Sequence, residues 1–435
     1  MTNSDETFKS AQKSHRKLIL HFDQHNTIQV ACTLPGRNIT VEEGVNHFLT
    51  TAVWGKEQAN GWIWLSERPE KNRPANEPHA ITYFKYLEKK LVGTPNDRAE
   101  LKKKTCRFVY EEPGCIYREF FDLYLKSLTY TRINSEDQMD TPNYYNSNGF
   151  KLPPNTIPAG DPSNKALYHL ILPEFFDMIR KLQKEKRDFA IVLRTMGIDS
   201  QNFLDTVRPV FEGKHLDFLD IEPMKINTSI GQIQRFDDNK IVLTMDNQVF
   251  DTEEKIYEKL SSLQGINAIR DDFAFWQKNK YECYAAKPLW INLNDTNSHH
   301  IIFDDNIRLD SVDDCIVNIR LFNSIHNAKY LNVNFNSYKY FKATSILQPD
   351  LVELLNPNLK IDSKNNHYLN MIKNAEKSYE ALLKENRKIL YDTRDICECN
   401  KIPIDIKLSD SLNRKIKRSQ SELDKKTQSS VCGVI

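Results

Sequence analysis

The stretch Leu18–Thr27, LILHFDQHNT, limits the possible fold more than any other part of the chain. Leu18, Ile19, Leu20 and Phe22 form an apolar run that stops at Asp23, with Thr27 four residues on. A short apolar run bounded by polar residues suits a strand buried on both faces of a parallel sheet. In open α/β sheets, ligands gather just beyond the carboxyl ends of the strands, so a carboxylate there is placed for chemistry. The design recurs downstream. Phe189–Thr195 (FAIVLRT) is an apolar run ending in a hydroxyl, and Lys287 follows in AAKPLW. His300–Asp310 (HIIFDDNIRLD) then carries a third run into Asp304 and Asp305, with Asp310 beyond.

Leu172, Phe175, Phe176, Ile179 and Leu182 recur at helical spacing just before FAIVLRT, a helix-then-strand unit. The expected fold class is therefore α/β: a Rossmann-like, doubly wound, mainly parallel sheet. Residues 32–165 separate the first strand from this unit. They are too many for a hairpin, too aromatic for a linker (Trp54, Trp62, Trp64, Tyr83, Phe84), and helical in pattern at Val41–Val53 and Ile116–Leu128. A large, mostly helical cap inserted after the first strand is expected. The boundaries read as a polar leader 1–16, a core of 17–31 and 166–345, the cap 32–165, a helical extension 346–406, and a basic, disordered tail 407–435. Within the core, Ile230–Phe250 alternates as a hairpin around Asp237–Lys240. Gln201–Phe211, Thr252–Leu263, Asp271–Lys280 and Asn374–Leu390 read as helices, and Cys315–Arg320 and Tyr330–Phe335 as short strands.

Composition sets outer limits. With 435 residues, 40% of them hydrophobic and 10% aromatic, the chain can build a sizeable core and more than one ordinary domain. A net charge of +1 gives no global field for nucleic acid, and no nucleic-acid partner is expected. No apolar stretch approaches the ~18 residues of a membrane span, and the first residues carry no apolar signal region. Eight cysteines without CxxC spacing fit free thiols in a reducing compartment. No G-x-G-x-x-G or G-x-x-x-x-G-K-[ST] follows any strand, which argues against a dinucleotide-binding enzyme.

Taken in order, the motifs resemble those of the haloacid dehalogenase superfamily of phosphohydrolases. Its pattern is a strand then D-x-D-x-T, a strand then Ser or Thr, a Lys, and a strand then an acidic pair with a further Asp. The resemblance covers Leu18–Thr27 and roughly Leu167–Arg320, less than half of the chain. It implies a Mg²⁺-dependent phosphatase working through an aspartyl-phosphate on a phosphorylated substrate of unspecified class. Asp23 would be nucleophile and metal ligand. The His25 backbone carbonyl and one of Asp304 or Asp305, with Asp305 preferred, would complete the protein ligands. Asp304 and Asp310 would support the metal's water shell or position Lys287. Lys287 would hold the nucleophile, Thr195 would donate to a phosphate oxygen, and Thr27 would brace the loop. Arg194 offers an equally good phosphate ligand. Three carboxylates close together also repel strongly without a cation, which argues for metal independently. His299 and His300 read as strand-start residues rather than ligands.

One departure matters. His25 stands where the family has its second Asp, the residue that protonates the leaving oxygen and then activates water. A histidine can do acid/base work near neutral pH. If it does not, the chain is a catalytically weakened fold of this type used as a binding or scaffolding module.

The chain ends Cys432-Gly433-Val434-Ile435, in the form of a C-a-a-X prenylation signal, below Arg414, Lys415, Lys417, Arg418, Lys425 and Lys426. A prenyl group and a basic segment are the two signals that stable membrane anchoring needs. The expected place is the cytoplasm, on the cytosolic face of a eukaryotic membrane, for a native protein or a delivered bacterial one.

Overall fold

The computed structural model describes residues 15–34, 38–59, 61–92, 98–130, 155–307, 315–324, 327–333, 338–384 and 396–397. Asp310, Cys432 and the basic tail lie outside these residues.

Strand β1 (Lys17–Phe22) comes first. The insertion follows with α1 (Val41–Ala52), β2 (Trp54–Gln58), β3 (Gly61–Trp64), β4 (Ile81–Thr82), α2 (Tyr83–Leu91), α3 (Arg98–Thr105) and α4 (Arg118–Leu128). A two-stranded ribbon, β5 (Thr156–Pro158) with β6 (Leu167–His169), precedes α5 (Pro173–Lys184), β7 (Phe189–Thr195) and α6 (Ser200–Phe211). Next come β8 (Gly231–Arg235), β9 (Ile241–Met245), β10 (Gln248–Phe250), α7 (Glu253–Ser262), β11 (Gly265–Arg270) and α8 (Phe273–Lys278). The remainder is β12 (Lys287–Ile291), β13 (Ser298–Phe303), β14 (Val317–Asn323), β15 (Lys329–Val333), α9 (Tyr338–Phe341) and β16 (Ile346–Leu347), then α10 (Leu351–Leu354), α11 (Ile361–Asn365), α12 (His367–Lys384) and β17 (Ile396–Cys397).

The central sheet has eight strands in the order β10-β9-β8-β11-β7-β1-β13-β16. All pairs from β8 to β16 are parallel, and β9 and β10 extend the β8 edge antiparallel. From β1 the parallel strands step outward through β7 to β11, and the chain then crosses back to β13 on the other side of β1. A reversal of strand order opens a crevice at the carboxyl ends, which is where such sheets bind ligands. Asp23 follows β1 and Asp304 follows β13, so both motifs end at that crevice.

Apolar runs make these strands because both sheet faces are covered: every residue of β7 and β13 and all but the first of β1 are buried. On one face Phe22 stacks on Phe303 with ring centroids 4.5 Å apart, and Phe175 of α5 and Tyr368 of α12 meet Phe22 edge-on. The insertion holds a small sheet besides its helices α1 to α4. Trp54, Trp62 and Trp64 fall in an antiparallel three-stranded sheet, β3-β2-β4, where aromatic side chains pack well. Val41, Val45 and Phe48 of α1 share one apolar cluster with Leu20, Phe22 and Phe175. The insertion therefore packs into the core of the sheet. One departure from the expected core is that β12, β14, β15 and β17 form a separate four-stranded sheet, and Lys287 opens its first strand. Among the described residues no helix is long and apolar enough to cross a membrane.

Histidines inside this core set an acid limit on stability. Burial lowers His299 and His300 to about 3 and His47 to about 4. In the unfolded chain they titrate near 6.5, so below that pH the unfolded state binds more protons and stability falls toward the folded values. Each such histidine contributes up to about 1.4 kcal/mol per pH unit over that window. The urea midpoint is expected to fall steeply from pH 6.5 to 4.5, and less steeply in His299→Gln. A midpoint that stays flat over this range would contradict the neutral burial of these rings.

Candidate active site

The loop after β1 folds on its own backbone. Asp23 N–H donates to Phe303 O at 2.8 Å, tying the ends of β1 and β13 together. Ile28 and Gln29 N–H both donate to Gln24 O at 3.1 Å, and Asn26 takes φ 54°, a left-handed conformation that asparagine tolerates. Thr27, fully buried, accepts from Asp305 N–H at 3.1 Å, and its carbonyl accepts from the Tyr368 hydroxyl. It joins the loop after β1 to the loop after β13.

Asp23, Asp304 and Asp305 offer carboxylate oxygens that all lie within 4.8 Å of one another. Lys287, 1% exposed, donates to Asp23 Oδ1 at 2.5 Å, to Asp304 Oδ2 at 2.8 Å and to the Arg194 carbonyl at 3.3 Å. Asp304 is fully buried and also accepts from Asn306 N–H at 2.9 Å. Asp305 is half-buried and accepts from the Asn306 side-chain amide at 2.9 Å. Burial opposes the charge on Lys287, but Asp23, Asp304 and Asp271 outweigh it and raise its pKa. Burial pushes the Asp23 carboxyl up to about 7, with Asp304 adding to the rise and Lys287 opposing it. Asp23 and Asp304 thus share the Lys287 ammonium, with Asp305 beside them. Hard oxygen donors at this spacing fit a divalent ion of the Mg²⁺ kind.

His25 turns away from this cluster to a second one. Its Nε2 lies 2.9 Å from Asp199 Oδ2, and Thr195 donates its hydroxyl to Asp199 Oδ1 at 2.8 Å. Burial would lower the His25 pKa, yet hydrogen bonds to Asp199 and to Cys32 outweigh it and hold the ring up at about 10. Burial likewise acts against Asp199, but bonds from His25 and Thr195 hold it down at about 2. The bond to Asp199 therefore favours the charged form of the ring. The Thr195 hydroxyl also accepts from Gly197 N–H at 2.9 Å, which fixes the turn after β7.

Asp23, His25, Thr195 and Lys287 all line one cleft of about 900 Å³. The structure does not bring the Arg194 guanidinium there. Successive strand residues face opposite ways, so Thr195 at the cleft puts Arg194 on the other side. Arg194 is fully buried, bidentate to Asp271 at 2.9 and 2.5 Å, and donates to the Pro288 carbonyl at 3.1 Å. It contributes its backbone carbonyl to Lys287, not its charge to a ligand. His299 and His300 are buried strand residues, bonded to the Thr344 carbonyl at 2.7 Å and to Ser261 at 2.9 Å.

Sequence reasoning missed Asp199 and Asn306. Asp199 had a local signal, a carboxylate four residues after Thr195 at the start of a helix, but its pairing with His25 spans 174 residues. No family model, no curated protein and no solved structure matches the chain.

Proposed function

We propose that the chain is a Mg²⁺-dependent phosphohydrolase of the haloacid dehalogenase type, acting through an aspartyl-phosphate. The observation that carries this reading is the meeting of Asp23, Lys287, Asp304 and Asp305, far apart in sequence, at the crevice where the strand order reverses. Asp23, Asp304, Asp305 and the His25 backbone carbonyl would hold Mg²⁺, which when bound offsets phosphate charge. The insertion acts as the cap, since Phe84 and Arg98 share the cleft with Asp23.

Lys287 holds Asp23 Oδ1 in place, which leaves the other carboxylate oxygen to attack phosphorus. A bond forms from that oxygen to phosphorus as the bond to the leaving oxygen breaks, and water later cleaves the aspartyl-phosphate. To protonate the leaving oxygen, His25 has to turn from Asp199 toward Asp23. Its proton is held tightly by the Asp199 pair, so transfer is slower than from an acid matched to neutral pH. His25→Ala is expected to slow turnover by about two to four orders of magnitude, and His25→Asp to preserve or raise it. Wild-type turnover in His25→Ala would remove His25 from the mechanism.

The same ion pair favours a second reading. An imidazolium locked to Asp199 cannot activate water, and a catalytically weakened fold of this type would serve as a phosphate-binding or scaffolding module. An aryl phosphate assay with and without Mg²⁺ separates the two. Turnover that requires Mg²⁺ supports the enzyme, whereas Mg²⁺-dependent phosphate binding without turnover supports the module.

A further inference from the structure

Beyond the acidic cluster, the cleft is lined by chemistry that phosphoryl transfer does not use. Phe84 of α2 contributes an aromatic face from the insertion, and Trp276 and Tyr281 contribute two more from the segment between β11 and β12. Trp276 meets Tyr281 edge-on at 5.0 Å, and its buried indole N–H has no acceptor among the described residues. Lys280 and Tyr281 both take left-handed conformations, φ 55° and 63°. Two successive residues of this kind, one of them aromatic, are strained, and such strain persists where surrounding structure holds a ligand-facing segment in place. Here the bonds Lys280 N–H to Gln277 O at 3.0 Å and Tyr281 N–H to Trp276 O at 2.9 Å hold it.

The charges on these walls are uneven. Glu88 is already shared by Lys85 at 3.1 Å and Arg98 at 3.6 Å, and Arg98 also lies over the Tyr281 ring at 5.6 Å. Lys102 and Lys280 line the same cleft, exposed, with no anionic partner among the described residues. Aromatic faces give a planar ring something to stack on, and unpaired ammonium groups favour an acid group on the same molecule.

We propose that this cleft takes a nucleotide-sized phosphomonoester that combines a planar aromatic ring with a second acidic group. The inference rests on the phosphohydrolase reading for the place of the first phosphate. The volume suits one small molecule of this kind. Phe84, Trp276 and Tyr281 offer the ring a stacking surface, and Lys102 and Lys280 take the second acid group.

The test is calorimetric binding of four probes to full-length Asp23→Asn with Mg²⁺. Adenosine 3′,5′-bisphosphate carries ring and second phosphate, phenyl phosphate the ring alone, fructose 1,6-bisphosphate the second phosphate alone, and glycerol 1-phosphate neither. The bisphosphorylated nucleoside is expected to bind about ten-fold more tightly than either single-feature probe. Trp276→Leu should erase the advantage of the ring, and the exposed pair Lys102→Ala with Lys280→Ala that of the second phosphate. If Trp276→Leu does not fold, the lysine pair still decides the charge half and the probe series the ring half. Equal affinity for all four probes overturns the proposal, and so does an acidic phosphotyrosine peptide that outcompetes the nucleoside. Wild-type turnover is scored separately with the same probes. Hydrolysis with no dependence on ring or second phosphate defeats this inference and spares the phosphohydrolase reading. Selective binding without any hydrolysis does the reverse.

Discussion

Asp23→Asn is expected to lower phosphatase turnover by at least about 10⁴-fold, because an amide cannot form the covalent intermediate. The fold should survive the change. Asparagine keeps the shape, and Lys287 retains Asp304 at 2.8 Å. Stability is expected to rise. The folded pKa of Asp23, about 7, lies above the ordinary value of 3.8. A raised carboxyl pKa means that folding costs free energy once the group ionises: nothing below pH 4, growing to its full value above 7. Removing the carboxylate should therefore raise the melting temperature more at pH 8 than at pH 5, without Mg²⁺. A variant that is inactive and more stable identifies a residue kept for chemistry. Equal loss of stability and activity would assign Asp23 to the fold instead.

Lys287→Met is expected to act in the opposite direction. Lys287 is buried between Asp23 and Asp304, and its removal leaves two carboxylates facing each other without a counter-charge. Breaking a buried pair this way costs about 3–5 kcal/mol. Urea unfolding in EDTA at pH 8 should show that loss. Mg²⁺ should restore part of it, because an ion that binds only the folded state adds stability by mass action, about 2.7 kcal/mol at one hundred times its dissociation constant. Turnover should stay low even with Mg²⁺, since nothing then holds Asp23 Oδ1. Wild-type stability of Lys287→Met in EDTA would deny that the lysine bridges the two carboxylates.

The strands that build the crevice were legible because they are buried on both faces and carry unbroken apolar runs, as in Leu18–Phe22 and Phe189–Leu193. Helix α5 was legible from its stripe Phe175, Phe176, Ile179 and Leu182, all buried. Strand β11, GINAIR, was not. Glycine and asparagine are poor strand formers, yet Asn267 is buried in the sheet with its amide bonded to Gln264 O at 3.0 Å. Arg194 was placed with the ligands because its charge drew more weight than the two-residue period of a strand. The His25–Asp199 pair and the separate sheet that carries Lys287 depend on contacts between distant segments, and no local pattern encodes those. The acidic convergence was expected from strand ends alone, since a parallel sheet brings its carboxyl ends to one side.

The central claim is that Asp23 attacks phosphorus. An acyl phosphate is reduced by borohydride, so an acid-quenched reaction can be trapped and the modified residue located by peptide mass spectrometry. After incubation of the full chain with an aryl phosphate and Mg²⁺, the account predicts homoserine at position 23, absent when Mg²⁺ or substrate is left out and absent in Asp23→Asn. An unmodified Asp23 in a chain that releases phosphate, or a trapped group on any other residue, would contradict it.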